Sequence, residues 1–295
     1  MRLAIFGRSL AENYFETFAE FLSTLERHNI TWYIYEPFWE KVQTHLPSGF
    51  KPAGFFSYSE DLEEANPGFL LSFGGDGTLL DSVAFLAGNN IPVLGINAGR
   101  LGFLSSTSIE EPENVIKDLK EGLYSVEQRS LLEFSPGDDV FGKQNFALND
   151  FTIHKRDTSS MLTIHTYLDD ELLNTYWSDG LIVATPTGST AYSLSCGGPI
   201  VFPHAKSFVI TPVASHNLTI RPIIVPDNAK ISFEVEGRGN NFLISLDSRY
   251  TVVDYDFRFS VKKADICLNF VKLSNQRFIS TLREKLMLGI DNRNS

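Results

Sequence analysis

Apolar and polar residues change their rhythm midway along this chain and again near its end. Up to about residue 125, short apolar runs alternate with stretches whose apolar residues recur every three or four positions, the alternation of strand and helix. Leu3-Ala4-Ile5-Phe6 predicts a short buried strand, and Tyr14, Phe15, Phe18, Phe21, Leu22 and Leu25 mark one face of a helix. Ile30 to Tyr35 is β-branched and aromatic, hence a strand. Pro37 can open a helix carrying Trp39, Val42 and Leu46. Phe69 to Phe73 and Ile91 to Ile96 are further strands, and Glu110 to Leu123 is a polar-faced helix with Pro112 near its start. Repeated βα units imply a parallel sheet whose carboxyl-edge loops form a crevice.

From about 126 short alternating runs take over: Leu132-Phe134, Phe146-Ile153, Met161-Leu168, Thr175-Ala184, Phe208-Pro212, Lys230-Glu236, Phe242-Leu246, Thr251-Asp254, Phe257-Val261 and Ile266-Leu273. Turn signals such as Asp169-Asp170 and Gly237-Arg238-Gly239-Asn240 separate several of them. This pattern predicts layered β-sheets. Gln276 to Leu288 is helical again and can return to the first domain. The expected fold is α/β plus β: a Rossmann-like α/β domain over 1–125 and 275–295, and a β-rich domain over 126–274.

The composition fits two packed cores, with 43% hydrophobic residues and 24 Phe in 295 residues. No apolar run is long enough to span a bilayer. The apolar run after Arg2 is too short for a signal peptide and reads as a strand. Cys196 and Cys267, far apart and outside any CxxC, disfavour a disulfide framework or a zinc site and make a reducing cytoplasm the expected compartment. A net charge of −11 argues against nucleic acid or membrane as a partner. It also means that a polyphosphate ligand would need backbone N–H groups, a few placed cations and Mg²⁺.

Candidate chemistry gathers at two stretches. The strand Phe69–Phe73 runs into Gly74-Gly75-Asp76-Gly77-Thr78, and helical spacing resumes at Leu79, to end at Gly88. Strand, glycines and helix are the layout of a phosphate site, with the helix starting at Thr78 and aiming its positive end at an anion. Asp76 would repel phosphate, so it either accepts a proton from an attacking hydroxyl or handles a metal riding on the phosphates. The plain alternative is a tight turn in which Asp76 caps the next helix. A second glycine-bearing loop, Asn97 to Phe103, follows the next strand and could face the same crevice. The other stretch is Ser178 to Pro199, where Thr185-Pro186-Thr187-Gly188-Ser189-Thr190 leads into a short helix and Gly197-Gly198. So many small hydroxyl residues suit a polar ligand wrapped by neutral hydrogen bonds, or a Ser/Thr-rich cap with a glycine stop.

Taken together these segments resemble the NAD kinase family. The likeness rests on Gly74 to Thr78, on Leu94-Gly95-Ile96-Asn97 through Leu101-Gly102-Phe103-Leu104, on Asn149-Asp150, and on Asp179-Gly180-Leu181 through Thr185 to Pro199. The resemblance implies phosphoryl transfer from ATP, with a divalent metal such as Mg²⁺, to the adenosine-ribose 2′-hydroxyl of NAD, giving NADP. It assigns Asp76 as the base and Gly74, Gly75 and Thr78 to the phosphate loop. Gly77 and Phe103 would line the adenosine side, and Asn149 and Asp150 would contact adenine and ribose. Thr187, Thr190, Ala191, Tyr192, Ser193, Leu194 and Ser195 would wrap the dinucleotide. Asp179 would accept from the nicotinamide amide or the adenine amino group. It also implies a homodimer or homotetramer.

The chain departs from the family pattern in places. Asp150 stands where Glu is common, Trp177 where many relatives have a basic residue, and Cys196 where Ala is usual. Arg249 falls where relatives often carry a polar contact residue. A lipid or sphingoid kinase sharing the glycine turn, or a catalytically silent dinucleotide sensor, are the alternatives. His28, His45, His154, His165, His204 and His216 form no ligand spacing and read as structural or surface residues. Arg100 either meets a phosphate or is solvated. There is no GxxxxGK[ST], and no GxGxxG after the first strand.

Overall fold

Five short apolar strands stack side by side in the first part of this computed structural model, which describes residues 1–86, 88–99, 101–136, 140–142, 144–156, 160–274 and 276–288. They are β1 (Arg2–Gly7), β2 (Thr31–Tyr35), β3 (Gly54–Phe56), β4 (Phe69–Phe73) and β5 (Val93–Asn97). All pair in parallel, in the order β5-β4-β1-β2-β3, and the two-residue β6 (Thr107–Ser108) joins β5. β4 and β5 are buried at every position, as parallel strands covered on both faces must be. The covering helices are α1 (Phe15–Arg27), α2 (Glu36–Val42), α3 (Ser59–Ala65), α4 (Asp76–Leu86) and α5 (Pro112–Glu121). α1 buries Phe18, Phe21, Leu22 and Leu25, the face read from its spacing, and Phe18 and Phe21 pack edge-on against Phe73 of β4. Each such ring, fully removed from water, contributes about 1.5–3 kcal/mol. α5 starts on Pro112 and stops at Gly122, whose positive φ of 72° is the usual glycine terminus.

By contact density the chain divides into Met1–Glu127 with Leu268–Ser295, and Gln128–Cys267. The first unit is the α/β part, and α7 (Phe278–Leu286) belongs to it, as expected for a terminal helix that returns.

The second unit is built of antiparallel strands: β7 (Tyr124–Ser135, which enters it), β8 (Phe146–Ala147), β9 (Asp150–Lys155), β10 (Leu162–Leu168), β11 (Glu171–Ser178), β12 (Gly180–Ala184), β13 (Ser207–Val213), β14 (Ile223–Pro226), β15 (Ile231–Glu236), β16 (Asn241–Leu246), β17 (Arg249–Asp254) and β18 (Phe259–Leu273). One sheet has the order β14-β13-β12-β9-β16-β17, and a second set runs β11-β10-β15-β18. Phe134, Phe151, Phe233, Phe242 and Phe259 share one core there. α6 (Tyr192–Ser195) is a single turn.

Three expectations for this unit need correction. Phe146 to Ile153 is two strands, β8 and β9, parted at Leu148-Asn149, whose N–H groups bond the Asp247 carboxylate. Thr175 to Ala184 is two strands, β11 and β12, and they lie in different sheets. The chain steps between sheets at Asp179-Gly180, where a Cβ on Gly180 would overlap the Ile153 carbonyl. Conversely, Phe257-Val261 and Ile266-Leu273 belong to one long strand, β18. Its middle looks like a break because Lys262, Lys263 and Asp265 are exposed, but Lys262 pairs with Glu133 at 3.3 Å and Lys263 with Asp227 at 2.6 Å.

Candidate active site

The glycine turn sits at the carboxyl edge of β4. Gly74 holds φ at +146°, a conformation other residues rarely adopt, and the Thr78 side chain fills the place a Cβ would take. Its N–H donates to the Ile96 carbonyl at 2.9 Å, tying the turn to β5. α4 begins at Asp76, two residues before the expected Thr78, so Asp76 lies in the first helical turn.

Asp76 is half-buried and does not cap its own helix. Its carboxylate reaches the second glycine-bearing loop instead. Oδ2 accepts the Phe103 N–H at 2.8 Å; Oδ1 accepts those of Leu104 at 3.0 Å and Ser105 at 2.8 Å. A carboxylate offers about four acceptor sites. Three are filled, and the fourth, on Oδ2, remains for a hydroxyl. The approach depends on two small residues. A Cβ on Gly102 would overlap the Asp76 carboxylate, and one on Gly95 would stand 2.8 Å from the Leu104 carbonyl. The two glycine loops therefore meet at the carboxyl edge of the sheet. Phe103 is half-buried beside Asp76, Gly75 and Gly77 are exposed, and Arg100 lies outside the described residues.

In the second unit Asn149 precedes β9 and Asp150 opens it, and their backbone is gripped from three directions. Asp247, in a left-handed turn at φ +52°, accepts the N–H groups of Leu148 (2.9 Å), Asn149 (2.8 Å) and Asp150 (3.2 Å). Thr185 Oγ1 donates to the Leu148 carbonyl at 2.5 Å and accepts the Gly188 N–H at 3.1 Å. The Arg249 guanidinium donates to the carbonyls of Gln144 and Phe146. Arg249 is thus a strut for this segment, and burial lowers its pKa.

Asp150 is 6% exposed, and among the described residues its carboxylate has no hydrogen-bond partner. Burial, with a smaller contribution from Asp247, pushes its pKa up to about 7. Burial also raises Asp247, against the pull of its three N–H donors. A nearly buried carboxyl without a partner is costly unless a ligand supplies donors. Asp179, at the corner between sheets, pairs with Lys155 at 2.6 Å.

The hydroxyl-rich segment divides in two. Ser189 Oγ bonds the Pro186 carbonyl at 2.7 Å and the Val201 N–H at 3.0 Å, and Ser193 Oγ bonds Thr211 Oγ1 at 2.8 Å. Both are fully buried, and their hydroxyls hold the wall together. Thr187 is buried; Thr190, Ala191 and Leu194 are half-buried, and Tyr192 and Ser195 are exposed. His154, expected to be a structural or surface residue, is half-buried on β9. Its Nε2 meets Tyr192 Oη at 3.1 Å, its ring lies 5.7 Å from the Tyr192 ring, and burial lowers its pKa. Cys196 is half-buried, with its thiol pKa raised by burial.

An open parallel sheet with a glycine-rich, carboxylate-bearing turn at its carboxyl edge defines a nucleotide-binding α/β protein, here carried with an antiparallel β unit. The model of the ATP-NAD kinase N-terminal domain matches residues 3–124, and that of the ATP-NAD kinase C-terminal domain matches residues 148–273. Relatives include the NAD kinase of Cytophaga hutchinsonii, 47% identical over 295 residues and all of both chains. The NAD kinase of Bacteroides fragilis is 40% identical over 99% of this chain and all of its own. Among solved structures, yeast NADH kinase complexed with NADH superposes with a TM-score of 0.85 at 25% identity, covering 100% of this chain and 90% of that one. An NAD kinase from Archaeoglobus fulgidus in complex with ATP gives 0.75 at 26% identity, covering 97% and 99%. The chain belongs to the ATP-NAD kinase family.

Proposed function

We propose that this protein transfers the γ-phosphoryl group of ATP to the 2′-hydroxyl of the adenosine ribose of NAD, making NADP. Phosphoryl transfer to NAD is the reaction of the family. The observation that carries the residue assignment is Asp76, held by three N–H groups with one acceptor site left on Oδ2. The 2′-oxygen attacks the γ-phosphorus, the new O–P bond forms as the bond to the bridging β,γ-oxygen breaks, ADP leaves, and the hydroxyl proton passes to Asp76 Oδ2. Such transfers go through a loose transition state, so positioning and charge neutralisation supply most of the acceleration.

Gly74, Gly75 and Thr78 present the turn to the phosphates, with Gly77 and Phe103 beside the adenosine. Asn149 and Asp150 hold adenine and ribose, and ribose hydroxyls supply the donors that the Asp150 carboxyl lacks. Asp179, Thr187, Thr190, Ala191, Tyr192, Leu194 and Ser195 hold the rest of the dinucleotide. Mg²⁺, bound with the ATP, would neutralise the charge of its phosphates. No helix of the described residues is long and apolar enough to cross a membrane. We assign the protein to the cytoplasm, to NADP biosynthesis and to a homodimer or homotetramer.

The deciding assay incubates purified protein with ATP, Mg²⁺ and NAD and scores NADP. Product formation is expected. NAD binding without product would return the protein to the sensor class.

A further inference from the structure

The loop after β1 carries a cation that the reaction above leaves without a task. β1 and β4 are parallel neighbours with Gly7 opposite Phe73, so Arg8 and Gly74 leave the same sheet edge side by side. The order β5-β4-β1-β2-β3 reverses between β1 and β4: β2 and β3 build out on one side of β1, β4 and β5 on the other. Ligands of open α/β sheets bind at that reversal, outside the carboxyl ends of the strands. The loops flanking it here are the Arg8 loop and the Gly74–Thr78 turn.

The guanidinium is aimed at the turn. Arg8 Nη1 comes within 4.0 Å of where a Cβ on Gly77 would stand. Its Nε is held by the Asp81 carboxylate, one helical turn further along α4. That grip leaves both terminal nitrogens without a partner among the described residues, on a side chain that is 51% exposed. Lys41 Nζ donates to the Arg8 carbonyl at 2.9 Å, fixing the loop and bringing a second cation to the same edge. In a protein of net charge −11, two cations beside a glycine turn need a local reason. A planar guanidinium with two free nitrogens matches two oxygens of a phosphate chain.

We propose that Arg8 is a phosphate-binding residue for the nucleoside triphosphate donor, held in its binding pose by Asp81. This rests on the kinase function proposed above. The test is a calorimetric titration of ATP with Mg²⁺ into the protein without NAD, alongside initial-rate kinetics. Arg8→Ala should weaken ATP binding and raise the KM for ATP by about tenfold, with the KM for NAD within about twofold. Arg8→Lys, which keeps the charge and loses the fork, should recover part of that loss. Asp81→Asn should weaken ATP binding by only about threefold. Unchanged ATP affinity in Arg8→Ala overturns the proposal, as does a loss that falls on NAD instead of ATP. Should Arg8→Ala fail to fold, Arg8→Gln replaces it under the same two criteria. Because ATP binding is read without turnover, a wild type that binds ATP yet makes no NADP would sink the kinase function and leave the role of Arg8 decided.

Discussion

A side chain on Gly102 would occupy the space of the Asp76 carboxylate. The two residues are neighbours because three N–H groups just after Gly102 close around that carboxylate. Gly102→Ala must push the 103–105 backbone away or turn Asp76 out of place. We expect a loss of about 1–3 kcal/mol in stability, since the clash involves a carboxylate anchored at three points. Turnover should fall more than NAD affinity. A denaturation midpoint and a kcat indistinguishable from wild type would contradict the account.

Asp76→Asn removes the base and also disturbs the loop. An amide has one acceptor oxygen, so at least one of the Phe103, Leu104 and Ser105 N–H groups would face an NH₂. Turnover should drop by about 10²–10⁴, the usual span for a positioned general base, while NAD titration shows little change. Near-normal turnover in this variant would remove Asp76 from the chemistry.

The raised pKa of Asp150 has a definite sign. Burial lifts it from 3.8 to about 7, so at intermediate pH the folded protein holds a proton that the unfolded chain has released. Stability contributed at this site therefore falls as pH climbs from about 4 to about 7 and is flat above. Asp150→Asn lacks that slope: its melting temperature should gain on wild type across this window. Wild-type affinity for NAD should strengthen as pH rises through about 7, because ribose hydroxyls donate to the ionised form. Parallel melting profiles for the two proteins would refute the assignment.

Asp247→Ala strips the Leu148–Asp150 backbone of its common acceptor. With three part-buried donors left to find water, we expect a cost of about 2–4 kcal/mol. The KM for NAD should rise because Asn149 and Asp150 lose their placement. Asp247→Asn, which retains one acceptor oxygen, should lie between. A binding defect without any loss of stability would mean that Asp247 meets the ligand itself.

The parallel strands were legible because burial on both faces leaves an uninterrupted apolar run, as in Phe69–Phe73, and the α1 face because helical spacing repeats. Strand limits in the β unit were less so. Thr175 to Ala184 reads as one apolar-rich run, yet Asp179-Gly180 turns it from one sheet into another; that turn is set by the Ile153 backbone, which is distant in sequence.

Local chemistry of the chain determines that glycines follow β4 and that a carboxylate stands among them, since each needs only its immediate neighbours. What that carboxylate bonds to is a property of the folded sheet. Asp76 meets residues 103–105 because β4 and β5 pair in register, and Asp150 stands on a strand flanked by β12 and β16 from elsewhere in the sequence. Such contacts join residues far apart along the chain, and no local pattern records which of them packing will bring together.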